Sequence, residues 1–449
     1  MLDSSVFKAY DVRGIVPDEL DAEGAYRLGR AYVAAFEPAT MAIGHDMRLT
    51  SPELAEAAAR GASEQGADVV TLGEIGTEML YYAVGEHGYE GGIQVTASHN
   101  PRAYNGMKIV RRGARPVGGD TGLDKIKRFA EEGTPDAPGG PGTISQQDIY
   151  EGFHERVLRF IDPSAVRPLR VVLDGANGMA GPMIGPLLER LPIMAFPHHL
   201  DPDGSFPNGE PNPLLEENRR FIIEQVVAEG ADLGIAWDGD ADRCFFIDDT
   251  GEFVPGDLIT ALIARTMLER HPGATIIYDL RASWAVRDTV AAAGGTALEN
   301  RVGHAFIKAR LRKEEAVFAG EVSGHYYFKD FYYCDTGIVP ALVMLELISR
   351  SGQKLSQLLA PFRERYFISG EINSTVADVP LKLQELKDRF GPSAERVSHL
   401  DGISFDFDDW HFNVRPSNTE PLLRLNLESV ASQEAMEQRR DEVLAVIRG

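Results

Sequence analysis

Three observations predict an α/β fold made of several units with parallel or mixed sheets. Apolar runs of strand length alternate with amphipathic helical segments for most of the chain. Three of those apolar runs lead straight into short polar loops, at 96–101, 238–243 and 320–325. The chain has 449 residues, too many for one ordinary core, so three or four compact units are expected. Alternating strands and helices imply sheets covered by helices on both faces.

The elements follow in order. In the first unit, 41–46 and 67–73 read as strands, with a helix over 52–65 between them, capped by Ser51. The Pro-Gly-Gly-Pro-Gly run at 138–142 is a loop, so a boundary is set soon after it and the first domain spans 1–146. The second domain, 147–252, reads as helix 147–161, strand 169–173, helix 181–190, strand 193–197, helix 216–229 and strand 232–237. The third, 253–365, repeats the alternation: helix 257–271, strand 275–278, helix 283–293, strand 296–299, helix 305–313 and strand 316–319. The last part, 366–449, has helices over 380–390 and 434–447 among strand-like pieces such as 402–407 and 422–427, the pattern of a smaller α+β unit. Because open α/β sheets place ligands in loops at strand ends, the three polar loops are expected to converge on one cleft.

Composition narrows the function. Hydrophobic residues make up 43% and charged residues 25%, which suits a soluble globular chain. No apolar stretch is long enough to cross a bilayer, the N-terminus lacks a basic leader and an apolar signal core, and two cysteines make no disulfide framework. The expected location is the cytoplasm. Forty-five basic against 68 acidic residues give a net charge of -23, which argues against nucleic acid or anionic membrane as partner. A phosphorylated ligand would then need locally gathered cations, and Arg13, Lys108, Arg243, Lys308 and Arg415 all stand in or near the polar motifs.

Ser98 follows an apolar segment within Thr96-Ala97-Ser98-His99-Asn100-Pro101, a run with strong turn chemistry. Asp238, Asp240 and Asp242 alternate in a short loop between the apolar runs 234–237 and 244–247, and alternation along an extended backbone puts the three side chains on one side. Three carboxylates without histidine or cysteine favour a hard cation such as Mg²⁺, and carboxylates between buried strands need one. A calcium loop is disfavoured, because Arg243 stands where that loop needs glycine and no glutamate closes it. Arg415, Ser417, Asn418 and Thr419 combine a guanidinium, two hydroxyls and an amide, the makings of a phosphate clamp or equally of a helix cap. Glu321, Ser323 and His325 lie on a glycine-flexed loop suited to a hydroxyl-rich ligand, with an ordinary hairpin as the alternative. His304 and Lys308 stand one turn apart at a helix start, and Arg13 at a turn.

Thr-Ala-Ser-His-Asn-Pro, Asp-Gly-Asp-Ala-Asp-Arg and Arg-Pro-Ser-Asn-Thr-Glu-Pro, in this order, resemble the α-D-phosphohexomutase superfamily in its phosphomannomutase/phosphoglucomutase branch. The similarity runs from Tyr10 to the Arg415 loop. It implies four domains around a central cleft, three related α/β units and a smaller C-terminal one. It also implies that Ser98 is the phosphorylated serine, and that Asp238, Asp240 and Asp242 hold Mg²⁺ together with a phosphoserine oxygen. Arg13, Lys108, Arg243 and His304 would line the reacting centre. Glu321 and Ser323 would hold sugar hydroxyls, with Tyr10, Arg281, Lys308 and His325 also facing the substrate. Arg415, Ser417, Asn418 and Thr419 would hold the phosphate that does not react. Two positions depart from the pattern: Val322 stands where methionine is common, and Arg281 where some relatives carry lysine.

The reaction so implied moves phosphate between O1 and O6 of a hexose, mannose and also glucose, through a 1,6-bisphosphate that also primes the unphosphorylated enzyme. His304 and Lys108 are the base candidates. A phosphoglucosamine mutase is the nearest rival, ranked lower because its sugar loop usually carries glutamine at the position of Val322. A silent phosphosugar-binding protein would not need both Ser98 and the aspartates. A phosphatase with an aspartyl nucleophile would leave the Ser98 and Arg415 loops unexplained.

Overall fold

The computed structural model describes residues 3–137, 139–416 and 422–449. The chain forms two compact units, one of Met1–Val254 with Ser323–Leu355, the other of Pro255–Val322 with Ser356–Gly449. Among the described residues no helix is long and apolar enough to cross a membrane.

The first unit holds two mixed sheets. One runs Val12–Ile15, Tyr104–Arg111, Gly91–Val95, Thr40–His45, Asp68–Glu74, Ile144–Gln146. Its last four strands are parallel, as the alternation predicts, but Val12–Ile15 and Tyr104–Arg111 run antiparallel to their neighbours. Helices Ala22–Phe36 and Ser51–Glu64 bury alanines, Leu28 and Leu54 with Met41, Ile43, Val69 and Ile93 in one core. The other sheet runs Phe253–Val254, Cys244–Asp248, Leu233–Trp237, Arg170–Asp174, Met194–His198, parallel across the last three and antiparallel in the rest. The antiparallel returns arise because short polar loops, not helices, follow Gly91–Val95 and Leu233–Trp237, and a strand that turns back at once can only pair antiparallel. Both functional loops are therefore the bends of hairpins at the C-terminal ends of central strands.

In the second unit Thr275–Asp279 pairs in parallel with Thr296–Asn300 and with Phe318–Gly320. The C-terminal part is a wholly antiparallel sheet, Phe367–Thr375, Leu422–Ser429, Trp410–Pro416, Ile403–Asp406, Arg396–Ser398. Helices Val379–Phe390 and Gln433–Arg448 contribute Leu386, Phe390, Met436, Val443 and Ile447 to its core.

Three local expectations are corrected. Arg13 lies in the strand Val12–Ile15, not at a turn, because Val12 and Gly14 alternate into the interior opposite Met107 and Asn105. The aspartate loop is not extended: Ala241 has φ of 61°, and a left-handed turn, not strand alternation, gathers the carboxylates. Ser51 does not cap its helix. It is the first helical residue, and its hydroxyl donates to Asp46 Oδ1 at 2.5 Å.

Candidate active site

Ser98 stands at the bend after Gly91–Val95, 2% exposed and with φ of 49°, a strained setting for a residue with a Cβ. The strain is held by Arg48, itself buried, which donates to the carbonyls of Ser98 (2.8 Å), Asn100 (2.6 Å), Pro101 and Tyr104 (3.0 Å each). Arg13 braces the same loop from the neighbouring strand, donating to the Ala97 carbonyl at 3.1 Å and to Asn100 Oδ1 at 2.5 Å.

The aspartate loop meets this bend directly. A Cβ on Gly239 would lie 2.5 Å from the Ser98 carbonyl oxygen, so only glycine permits the approach. Ser98 Oγ donates to Asp238 Oδ2 at 2.8 Å and lies 3.2 Å from His99 Nδ1. Lys108, on the return strand opposite Gln94, donates to Asp240 Oδ2 at 2.6 Å and also to Asp242 Oδ2. Thr77, which opens the helix Thr77–Glu86, donates its hydroxyl to Asp240, and its N–H reaches the Asp240 carbonyl at 3.1 Å. Arg243 places Nε 3.7 Å from Asp238 Oδ2 and donates to His325 Nε2 at 3.2 Å. His325 in turn lies 3.6 Å from Asp242 Oδ1 and 2.9 Å from the Ser323 hydroxyl, through its other ring nitrogen. The aspartate run contains no histidine, yet the fold brings His325 and Asp335 to Asp242.

Burial disfavours charge on Lys108, but Asp240, Asp242 and Asp238 around it outweigh that and raise its pKa. Burial and Asp242 press against ionisation of Asp240, and Lys108 together with the Thr77 hydroxyl keeps it below the usual carboxylate range. Asp238 has weaker support: burial, then Asp240 and Asp242, push it well above that range despite Arg243 and Lys108. The group thus calls for further positive charge on the side of Asp238. Carboxylate oxygens of Asp238, Asp240 and Asp242 lie within 4.8 Å of one another, all buried, and Asp240 Oδ1 has no hydrogen-bond partner among the described residues. A hard divalent cation fits that donor set. Burial, with Arg243 and Arg13, holds His99 well below the usual histidine range, so it stays neutral.

The second unit carries the remaining residues. Arg281, just past Thr275–Asp279, forks onto Asp279 at 3.0 and 2.8 Å and lies 3.9 Å from Glu321. Asp279 also accepts from the N–H of Val322 at 2.8 Å, so one buried carboxylate sets both Arg281 and the 320–322 backbone. His304 begins the helix His304–Glu314 after the strand Thr296–Asn300, and Lys308, one turn on, is fully buried. Arg415 ends the strand Trp410–Pro416 but one residue and donates to Glu371 at 3.0 Å. Ser417, Asn418 and Thr419 lie outside the described residues. Tyr10, in the first unit, is half-buried at a bend before Val12–Ile15.

Sequence reasoning brought out Ser98, Arg13, Lys108, Arg243 and the aspartates, which the fold gathers, but missed Arg48, Thr77 and His99. Arg48 had a usable signal. The apolar strand Thr40–His45 ends in Asp46-Met47-Arg48, the same passage from buried strand to charged loop seen at Ser98 and Asp238.

Models of four phosphoglucomutase/phosphomannomutase domains match the chain: alpha/beta/alpha domain I over residues 4–136, II over 151–251, III over 255–366, and the C-terminal domain over 371–446. A phosphomannomutase of Salmonella montevideo is 45% identical over 448 residues, 98% of each chain. A protein of Xanthomonas campestris pv. campestris named for phosphohexose mutases is 42% identical over 445 residues, 99% of each. The crystal structure of a phosphoglucomutase/phosphomannomutase family protein from Burkholderia thailandensis superposes with a TM-score of 0.89 at 32% identity, covering 99% of this chain and 97% of that one.

Proposed function

The chain belongs to the phosphoglucomutase/phosphomannomutase family, and from that premise we propose that it interconverts hexose 1-phosphates and 6-phosphates through a phosphorylated Ser98. It is an intramolecular phosphotransferase of hexose phosphates. The observation that carries the serine route is the contact of Ser98 Oγ with Asp238, inside a buried triad whose other two carboxylates Lys108 bridges.

In the first half-reaction the bond between phosphorus and Ser98 Oγ breaks as one to the free sugar hydroxyl forms. The hydroxyl proton passes to a base, and the serine oxygen leaves with the bonding pair. The second half runs in reverse with the other phosphate of the 1,6-bisphosphate. Phosphoryl transfer asks a protein chiefly for position and countercharge. Arg48 and Arg13 fix the Ser98 bend, and Arg243 and Lys108 supply cations beside it. Lys108 and His304 are the candidates for the base that takes the hydroxyl proton. Asp238, Asp240 and Asp242 would hold Mg²⁺, which supplies charge to the transferring phosphoryl oxygens. Glu321 and Ser323 are assigned to sugar hydroxyls, Arg415 with Ser417, Asn418 and Thr419 to the phosphate that is not reacting, and Tyr10, Arg281, Lys308 and His325 to the rest of the substrate surface. We assign four domains, 1–146, 147–252, 253–365 and 366–449, a division supported by the four separate family matches. Cys244 and Cys334 are both buried thiols, which supports a reducing compartment such as the cytoplasm.

Mannose and glucose differ only at C2, and a site without a polar contact to O2 cannot separate them strongly. The test is a panel of mannose, glucose and glucosamine 1-phosphates with Mg²⁺ and a hexose 1,6-bisphosphate. Turnover of both mannose and glucose substrates is expected, with Ser98→Ala losing nearly all of it. Activity on glucosamine 1-phosphate with none on mannose 1-phosphate would move the protein to the glucosamine branch.

A further inference from the structure

Glu371 lies in the strand Phe367–Thr375, outside every motif the sequence brings forward. Its carboxylate gathers three guanidiniums. Oε2 accepts from Arg415 at 3.0 Å and lies 3.7 Å from Arg281, while Oε1 accepts from Arg424 at 3.1 Å. Arg424 sits directly across the sheet from Arg415. Nε of Arg415 and Nε of Arg424 are both buried and have no hydrogen-bond partner among the described residues. The arginine assigned to the substrate's phosphate is thus occupied by a carboxylate of the same chain, with two donors to spare beside it. Burial opposes charge on Glu371, but the hydrogen bond from Arg415 and the nearby charges of Arg415, Arg281 and Arg424 keep it ionised.

We infer that Glu371 is a built-in competitor for the phosphate clamp, holding Arg415 whenever phosphate leaves and yielding it when phosphate arrives. The inference rests on the reaction proposed above. A 1,6-bisphosphate must present each phosphate to Ser98 in turn, so the phosphate on the clamp has to let go once per turnover. Guanidinium forks hold a phosphate dianion through strong, directed hydrogen bonds, and a clamp of such forks alone releases it slowly. A carboxylate already within reach offers the arginine a partner during the exchange, so no half-buried cation is left unpaired. The carboxylate carries one negative charge and the dianion close to two, so phosphate still wins when present.

Glu371→Gln keeps the shape and a neutral acceptor while removing the competing charge. Calorimetry with inorganic phosphate alone should show binding tightened by roughly three- to tenfold. The KM for hexose 1-phosphate should fall by a similar factor and kcat should fall with it, since release is slowed. Glu371→Ala should shift the same way, and Glu371→Asp, which keeps the charge, should stay nearer wild type. Melting curves of all three check that they fold. Wild-type protein that binds phosphate but turns over no hexose 1-phosphate would overturn the proposed function. Wild-type protein with full turnover, beside Glu371→Gln and Glu371→Ala forms whose phosphate affinity is unchanged or weaker, would overturn this inference alone.

Discussion

Ser98, the three aspartates and Lys108 form a charge arrangement in which each member sets the state of the next. Lys108 satisfies Asp240 and Asp242, while Asp238, facing Ser98, has the poorest support and the greatest demand for added positive charge. Replacing Asp240 with asparagine removes one ligand charge but leaves Lys108 its bridge to Asp242. The half-saturating Mg²⁺ concentration for turnover should rise by about tenfold or more, equivalent to ~1.4 kcal/mol. Full wild-type turnover in chelator would contradict the metal assignment. Ser98 and the aspartates could be read from sequence because each stands in a short polar run bounded by buried strands. Thr77 could not, since its bond to Asp240 joins residues 163 apart in the chain. Glu371 is a lone acid on a strand, and only the sheet register opposes Arg424 to Arg415.

At the scale of elements, each unit places its candidate residues at strand ends. In the first, Thr40–His45, Gly91–Val95 and Leu233–Trp237 are followed by Arg48, Ser98 and Asp238, and in the second Thr275–Asp279 is followed by Arg281, where α/β sheets place ligands. Buried carboxylates then tie these loops to helices. Asp257, in the first turn of Gly256–Arg270, accepts from the N–H of Ser283 at 2.9 Å, at the start of Trp284–Ala292. Burial, reinforced by Glu428 and Asp279, raises its pKa to about 6 against the Ser283 and Leu258 N–H bonds. Its folded-state pKa lies above the unfolded value, so the folded state binds the extra proton between the two. This group's stabilisation is present below pH ~4 and lost as pH rises through about 6, on the order of 3 kcal/mol. Urea unfolding should therefore show a component of stability declining between those values, and Asp257→Asn should remove that component. A variant with the wild-type pH dependence would place the titration elsewhere. The strands and helices read from periodicity had most ends within a residue or three, but helices such as Ala22–Phe36 and Ile338–Ser351 were not among them. The antiparallel returns were not legible, because direction depends on how tightly the loop after a strand turns, which hydrophobic alternation does not encode.

Over the whole molecule, a chain of net charge -23 pairs its candidate-site cations Lys108, Arg281 and Arg415 with carboxylates. That pattern suits an anionic ligand that must be exchanged repeatedly rather than stored. The three-plus-one domain plan was legible because each unit repeats the same alternation, whereas the union of Ser323–Leu355 with the first unit was not. Cys334, Asp335 and Thr336 reach the first unit's core through contacts with Ala114 and the neighbourhood of Glu78, which no local pattern announces. The most direct test of the account is to treat the protein with a hexose 1,6-bisphosphate and Mg²⁺ and locate the phosphate by intact-mass and peptide mass spectrometry. One phosphoryl group on Ser98, discharged on adding excess hexose 6-phosphate and absent from Ser98→Ala, is the predicted result. A protein that turns over hexose phosphates yet carries its phosphate on another residue, or on none, would contradict it.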